Sequence, residues 1–157
     1  MRLFVLLFLC CLGAASFAAV PQTPAGVLDA LHARAAAADF EGYFELYADD
    51  AVFLGTDASE RWPIDRFRDY TRARFATGTG WTYVPMERHL MTSADGRTIW
   101  FDELLEGERM GPCRGTGVLV LTDDGWRVAH YSLTLLVPNE IAGDVVDQVR
   151  ALQATPP

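Results

Sequence analysis

Glu103 and Arg114 are the residues of this sequence that most need a chemical explanation. Glu103 shares a strand parity with Ile99, Phe101 and Leu105, and an unpaired carboxylate on a buried face is strongly disfavoured. Arg114 lies just beyond the next turn. Closure of that turn either sets the two residues directly opposite or leaves them diagonal on one face, because an even change of register preserves side-chain parity. Such a pair would be a bidentate clamp inside a cavity or a plain ion pair on the exposed side.

Other candidates are more scattered. Asp57 and Glu60 fall in a polar loop, GTDASERW over residues 55–62. A poorly solvated carboxylate there could act as a general base, whereas an aspartate in GTDAS also suits an Asx turn with the backbone. Trp62 follows as a rim wall or as a staple against the next helix. His130, among Val128, Ser132 and Thr134, could shuttle a proton or serve as a hydrogen-bonded strand histidine. His32 is on a helix and His89 on another strand, so no histidine or cysteine pair has ligand spacing and no metal is expected. A phosphate loop, a dinucleotide fingerprint and a nucleophile elbow are missing, so no cofactor is expected. Cys113 reads as a small buried apolar residue.

These residues need a scaffold. The 157 residues are half apolar, and the 13 basic side chains, all arginine, face 21 acidic ones for a net charge of −8. Absence of lysine excludes Schiff-base lysine chemistry. The acidic balance argues against nucleic acid or an anionic membrane as partner, leaving small molecules or proteins. Residues 1–18 read as a secretory signal peptide: Met1 and Arg2, an apolar run over residues 3–12 (LFVLLFLCCL), then GAASFA. Cleavage after Ala18 is expected because Ser16 and Ala18 supply the small residues. The protein should therefore be periplasmic or secreted and meet a membrane only through its leader; a retained anchor or a lipoprotein is the alternative. Cys113 then has no internal disulfide partner.

Residues 23–152 read as one α+β domain. Thr23 and Pro24 start a helix with Val27, Leu28, Leu31, Ala35 and Ala38 at helical spacing. Asp39 caps a second helix, in which Phe40, Tyr43, Phe44 and Tyr47 form an aromatic stripe. A short strand at residues 51–54 leads through the loop to a third helix on Ile64, Phe67, Thr71 and Phe75, ended by Gly78. The period then changes to two over residues 81–91, 98–105, 113–122 and 126–137, with turn chemistry at SADG, EGERMG and DDG predicting an antiparallel meander. Asn139 would cap a last helix whose Ile141, Val145, Val149 and Leu152 must pack on something. A twisted sheet curling over helices leaves a pocket between them.

The order of these elements, the YADDA junction at residues 47–51, the RGTGVL strand at residues 114–119 and WRVAHYSLTLLVPN at residues 126–139 resemble the SnoaL-like branch of the nuclear transport factor 2-like superfamily. The resemblance implies a cone-shaped barrel, with three N-terminal helices packed on a curved antiparallel sheet and a C-terminal helix added. It also implies a homodimer through the outer sheet face. That superfamily holds ketosteroid isomerase, scytalone dehydratase, polyketide cyclases and members that only bind ligands or dimerise. The isomerase's catalytic aspartate would fall at Gly55 and its oxyanion aspartate at Gly117; both acids are missing, so steroid isomerisation does not carry over. Similar members with a WFDE strand like residues 100–103 have no assigned activity. The resemblance places Trp62, Trp81, Tyr83, Glu103, Arg114 and Tyr131 in or beside the pocket. The leading expectation is an exported binder of a small, partly apolar molecule. The alternatives are a proton-transfer enzyme using Asp57 or Glu103 as base and an oligomerisation module.

Overall fold

The first helix among the described residues is one that the sequence starts twice over. Thr23 accepts a hydrogen bond from the Gly26 N–H at 3.1 Å, and Pro24 occupies the first turn of α1 (Pro24–Ala36). Asp39 caps α2 (Phe40–Glu45) through the Gly42 N–H in the same way. The computed structural model describes residues 21–154, so the leader expected at residues 1–18 lies outside the described residues.

Strands β1 (Tyr47–Leu54) and β2 (Arg61–Pro63) form a hairpin before α3 (Ile64–Phe75). Strands β3 (Tyr83–Thr92), β4 (Thr98–Gly107), β5 (Gly111–Thr122) and β6 (Gly125–Leu135) then form the expected meander. The curled, open sheet has the order β2-β1-β6-β5-β4-β3. Every pairing is antiparallel except β1 with β6, which the sequence did not indicate. β1 begins four residues earlier than expected, because Tyr47 already pairs with Val128 and Leu46 accepts the Val128 N–H at 2.8 Å. The sequence indicates a loop where β2 forms, because three residues carry too little periodicity to register as a strand.

The concave sheet face and the helices share one core. Ile99, Phe101 and Leu105 of β4, Cys113 and Leu119 of β5, and Val128, Tyr131 and Leu133 of β6 are buried with Val27, Leu28 and Leu31 of α1. The aromatic stripe of α2 joins Phe67 and Phe75 there, with Tyr43 edge-on to Phe44, Tyr47 and Phe67. Asn139 begins a single 3-10 turn (Asn139–Ile141), and α4 (Ala142–Ala154) follows. None of its residues is buried, so the apolar stripe expected to pack there has no core contact among the described residues.

Candidate functional site

Between the concave face and the helices lies a cavity of about 430 Å³, within the ~300–1,000 Å³ usual for small-molecule sites. Helix α1 contributes Leu31 and His32, α3 contributes Tyr70 and Arg74, and β6 contributes Tyr131. The segment before β3, the 55–60 loop and the β4–β5 hairpin tip complete its rim.

Glu103 is fully buried under this cavity and does not pair with Arg114. Its Oε1 accepts from the Tyr131 hydroxyl at 3.0 Å and lies 2.7 Å from His32 Nε2; its Oε2 accepts from Arg88 Nε at 2.8 Å. Arg88 in turn donates through Nη1 to Asp29 at 2.7 Å and to the Ala25 carbonyl at 3.3 Å. Burial alone would raise the Glu103 carboxyl, but the His32 contacts and then Arg88 outweigh it and hold it below the ordinary carboxylate range. An ionised carboxylate only accepts, so His32 Nε2 carries the proton it shares with Glu103. Burial, followed by the Glu103 charge, pushes the Tyr131 phenol far up, which keeps it a neutral donor.

Glycine opens the space for this cluster. Any side chain at Gly115, opposite Glu103, would run into the Tyr131 hydroxyl. At Gly117 it would run into the His130 carbonyl and the Phe101 ring, so no carboxylate could stand there. At Gly55 it would meet the Glu60 carboxylate, which already fills that space on the cavity wall.

The aromatic candidates divide as follows. Trp62, Trp81, Tyr83 and Tyr131 all line the cavity. Phe53 stacks within 15° of Trp62 and within 4° of Tyr131, forming a set of near-parallel rings along one wall. Deeper in, Tyr43 and Tyr47 share a hydroxyl contact at 2.8 Å, and burial raises both phenols.

Three expectations are corrected. The β4–β5 loop turns through residues 108–110, with Gly111 at φ 65°, and pairs Gly107 with Gly111. That register sets Gly115 opposite Glu103 and Arg114 opposite Leu104, on the convex face. Arg114 is exposed there, so Arg114→Ala should change stability by no more than ~0.5 kcal/mol in a urea melt. A loss of several kcal/mol would contradict this placement. His130 also lies on the convex face, because a bulge beside Ala129 reverses parity between Val128 and His130. Asp57 is exposed and makes the Asx turn: its Oδ1 accepts from the Ser59 N–H at 2.8 Å and the Ser59 hydroxyl at 2.6 Å, which lowers its carboxyl. It borders a second, more open depression of about 340 Å³ rather than the main cavity.

His32 and Arg88 were missed as partners of Glu103. His32 lies one helical turn beyond Leu28 on the apolar stripe of α1, and Arg88 is directly opposite Glu103 in the β3–β4 register. Both signals were in the sequence, but a lone arginine on an edge strand gives no hint of which neighbour it serves.

This architecture is that of the nuclear transport factor 2-like proteins. Residues 25–138 match the SnoaL-like domain family, and the chain belongs to it. No curated protein matches the sequence. Similar solved structures include a proposed aromatic ring hydroxylase from Novosphingobium aromaticivorans, 17% identical with a TM-score of 0.61, covering 71% of this chain and 85% of that one. A proposed scytalone dehydratase from the same organism is 10% identical with a TM-score of 0.60, covering 71% and 80%. A proposed calcium/calmodulin-dependent protein kinase type II association domain from Thiobacillus denitrificans is 21% identical with a TM-score of 0.59, covering 75% and 98%. At these identities the likeness establishes the fold alone.

Proposed function

We propose that this SnoaL-like protein is exported by its N-terminal leader and binds a small, flat, partly apolar molecule in the cavity. The observation that carries this reading is the contrast between Glu103, whose two oxygens are both engaged by protein donors, and the open aromatic-walled space above it. A binding site needs walls and a few fixed polar groups, and this arrangement supplies both. Trp62 and Trp81 offer flat apolar surface, while Tyr131 and His32 give the floor its polarity. Protein purified from its own cells should release one small molecule in near-equal amount, read by mass spectrometry, and Trp62→Ala should retain about tenfold less affinity for it. Empty wild-type protein, or a variant that binds equally well, would overturn the reading.

The His32–Glu103 contact favours a second reading, proton transfer on the bound molecule. In it the proton acceptor is His32, with Glu103 as a positioning residue. Asp57, exposed and outside the cavity, has no part. His32→Gln would then stop solvent deuterium from entering the recovered ligand even at ligand concentrations that saturate the variant. Association as a homodimer through the convex face is also proposed, with the half-exposed Trp100 as its apolar centre.

A further inference from the structure

We propose that Arg74 anchors a carboxylate on the ligand, so that the cavity selects flat conjugated acids over neutral molecules of the same shape. This rests on the reading of the cavity as a ligand site and specifies its occupant. Arg74 lies in the last turn of α3 and lines the cavity. Its Nη2 donates to the Gly80 carbonyl at 2.9 Å, which fixes the guanidinium 5.8 Å from the Trp81 ring centroid. Its Nε is buried and has no acceptor among the described residues. Nη1, which unlike Nε is not enclosed by protein, makes no hydrogen bond among the described residues and is the donor left for an acceptor carried by the ligand.

Two carboxylates share the rim, and neither meets this donor. Glu60 turns back along its own loop, where it takes the Asp57 N–H at 3.2 Å and packs over Gly55. Glu108 lies on the hairpin tip beside Arg109, and no ion pair joins Arg74 to either acid among the described residues. A planar carboxylate matches the planar donor set of arginine. The Trp81 face beside it and Trp62 across the cavity extend the site as flat apolar surface, which suits a conjugated ring attached to that carboxylate.

Calorimetric titration with 2-naphthoate and with 2-naphthylmethanol, which share a ring system and differ in charge, tests the proposal at pH 7. The wild-type protein should bind the acid at least about tenfold more tightly than the alcohol. Arg74→Gln should abolish that preference while leaving affinity for the alcohol unchanged, and Arg109→Gln should preserve it. Should the glutamine variant not fold, Arg74→Lys keeps the charge without the planar donors and should lose most of the preference. Equal binding of both probes in the wild type, or a preference that survives at Arg74, would overturn the carboxylate anchor while leaving the cavity a ligand site. Binding of neither probe would overturn the anchor and the cavity reading together.

Discussion

Glu103→Ala should lower stability by about 3–5 kcal/mol in a urea or thermal melt. The substitution removes the acceptor for three donors at once and leaves the Arg88 guanidinium charged beside a buried gap. Glu103→Gln separates charge from shape. Arg88 can only donate, so the amide oxygen must face it and the amide nitrogen must face His32 and Tyr131. Tyr131 can turn its hydroxyl to accept, whereas His32 must give up its Nε2 proton and hold one on Nδ1 instead. The glutamine variant should therefore be less destabilised than the alanine and should show the other histidine tautomer by ¹⁵N NMR. The pH dependence has a definite sign. Because the folded carboxyl lies below its ordinary value near 4.5, its stabilisation is complete above that value and is lost as pH falls through the lower folded value. The stability gap between wild type and Glu103→Gln should narrow only in that acid range. A loss under about 1 kcal/mol for the alanine at neutral pH would mean that the cluster is not buried as described.

Gly80→Ala is expected to be the next most damaging change, at about 1–3 kcal/mol. Its Cβ would run into the Ala35 carbonyl at the end of α1, and a backbone oxygen cannot swing aside as a side chain can. The segment that would be displaced also holds the Trp81 N–H on Ala35 at 3.3 Å and supplies the carbonyl that positions Arg74. Ligand affinity should thus fall together with stability, and Trp81 fluorescence should shift to the red as the indole gains solvent. An alanine variant that melts like the wild type would show that the segment is not latched to α1.

The fold was legible because its signals are local. Thr23 and Asp39 announce their helices, and the SADG and DDG turns fix two of the three hairpins of the meander. The parallel pairing of β1 with β6 joins segments far apart in sequence, and no turn signals it. The site was legible in part. Glu103 was recognisable because alternation alone placed a charge on a buried face. Its partner was misassigned because one residue in the length of the β4–β5 loop decides which face Arg114 occupies. The bulge at Ala129 misplaced His130 for the same reason: parity is lost wherever one strand gains an unpaired residue. Arg88 reaches Glu103 across the β3–β4 pairing, whereas His32 comes from a helix, and only the curl of the sheet over α1 brings it there.

The four tryptophans provide an internal control for the ligand site, since Trp62 and Trp81 line the cavity whereas Trp100 and Trp126 do not. Titrating ¹⁵N-labelled protein with 2-naphthoate and following the four indole N–H signals reports directly where a flat molecule binds. Saturable shifts at Trp62 and Trp81, with Trp100 and Trp126 unmoved, are the predicted result. Shifts confined to Trp100 or Trp126, or none at any of the four, would contradict the cavity as the place where this protein meets its ligand.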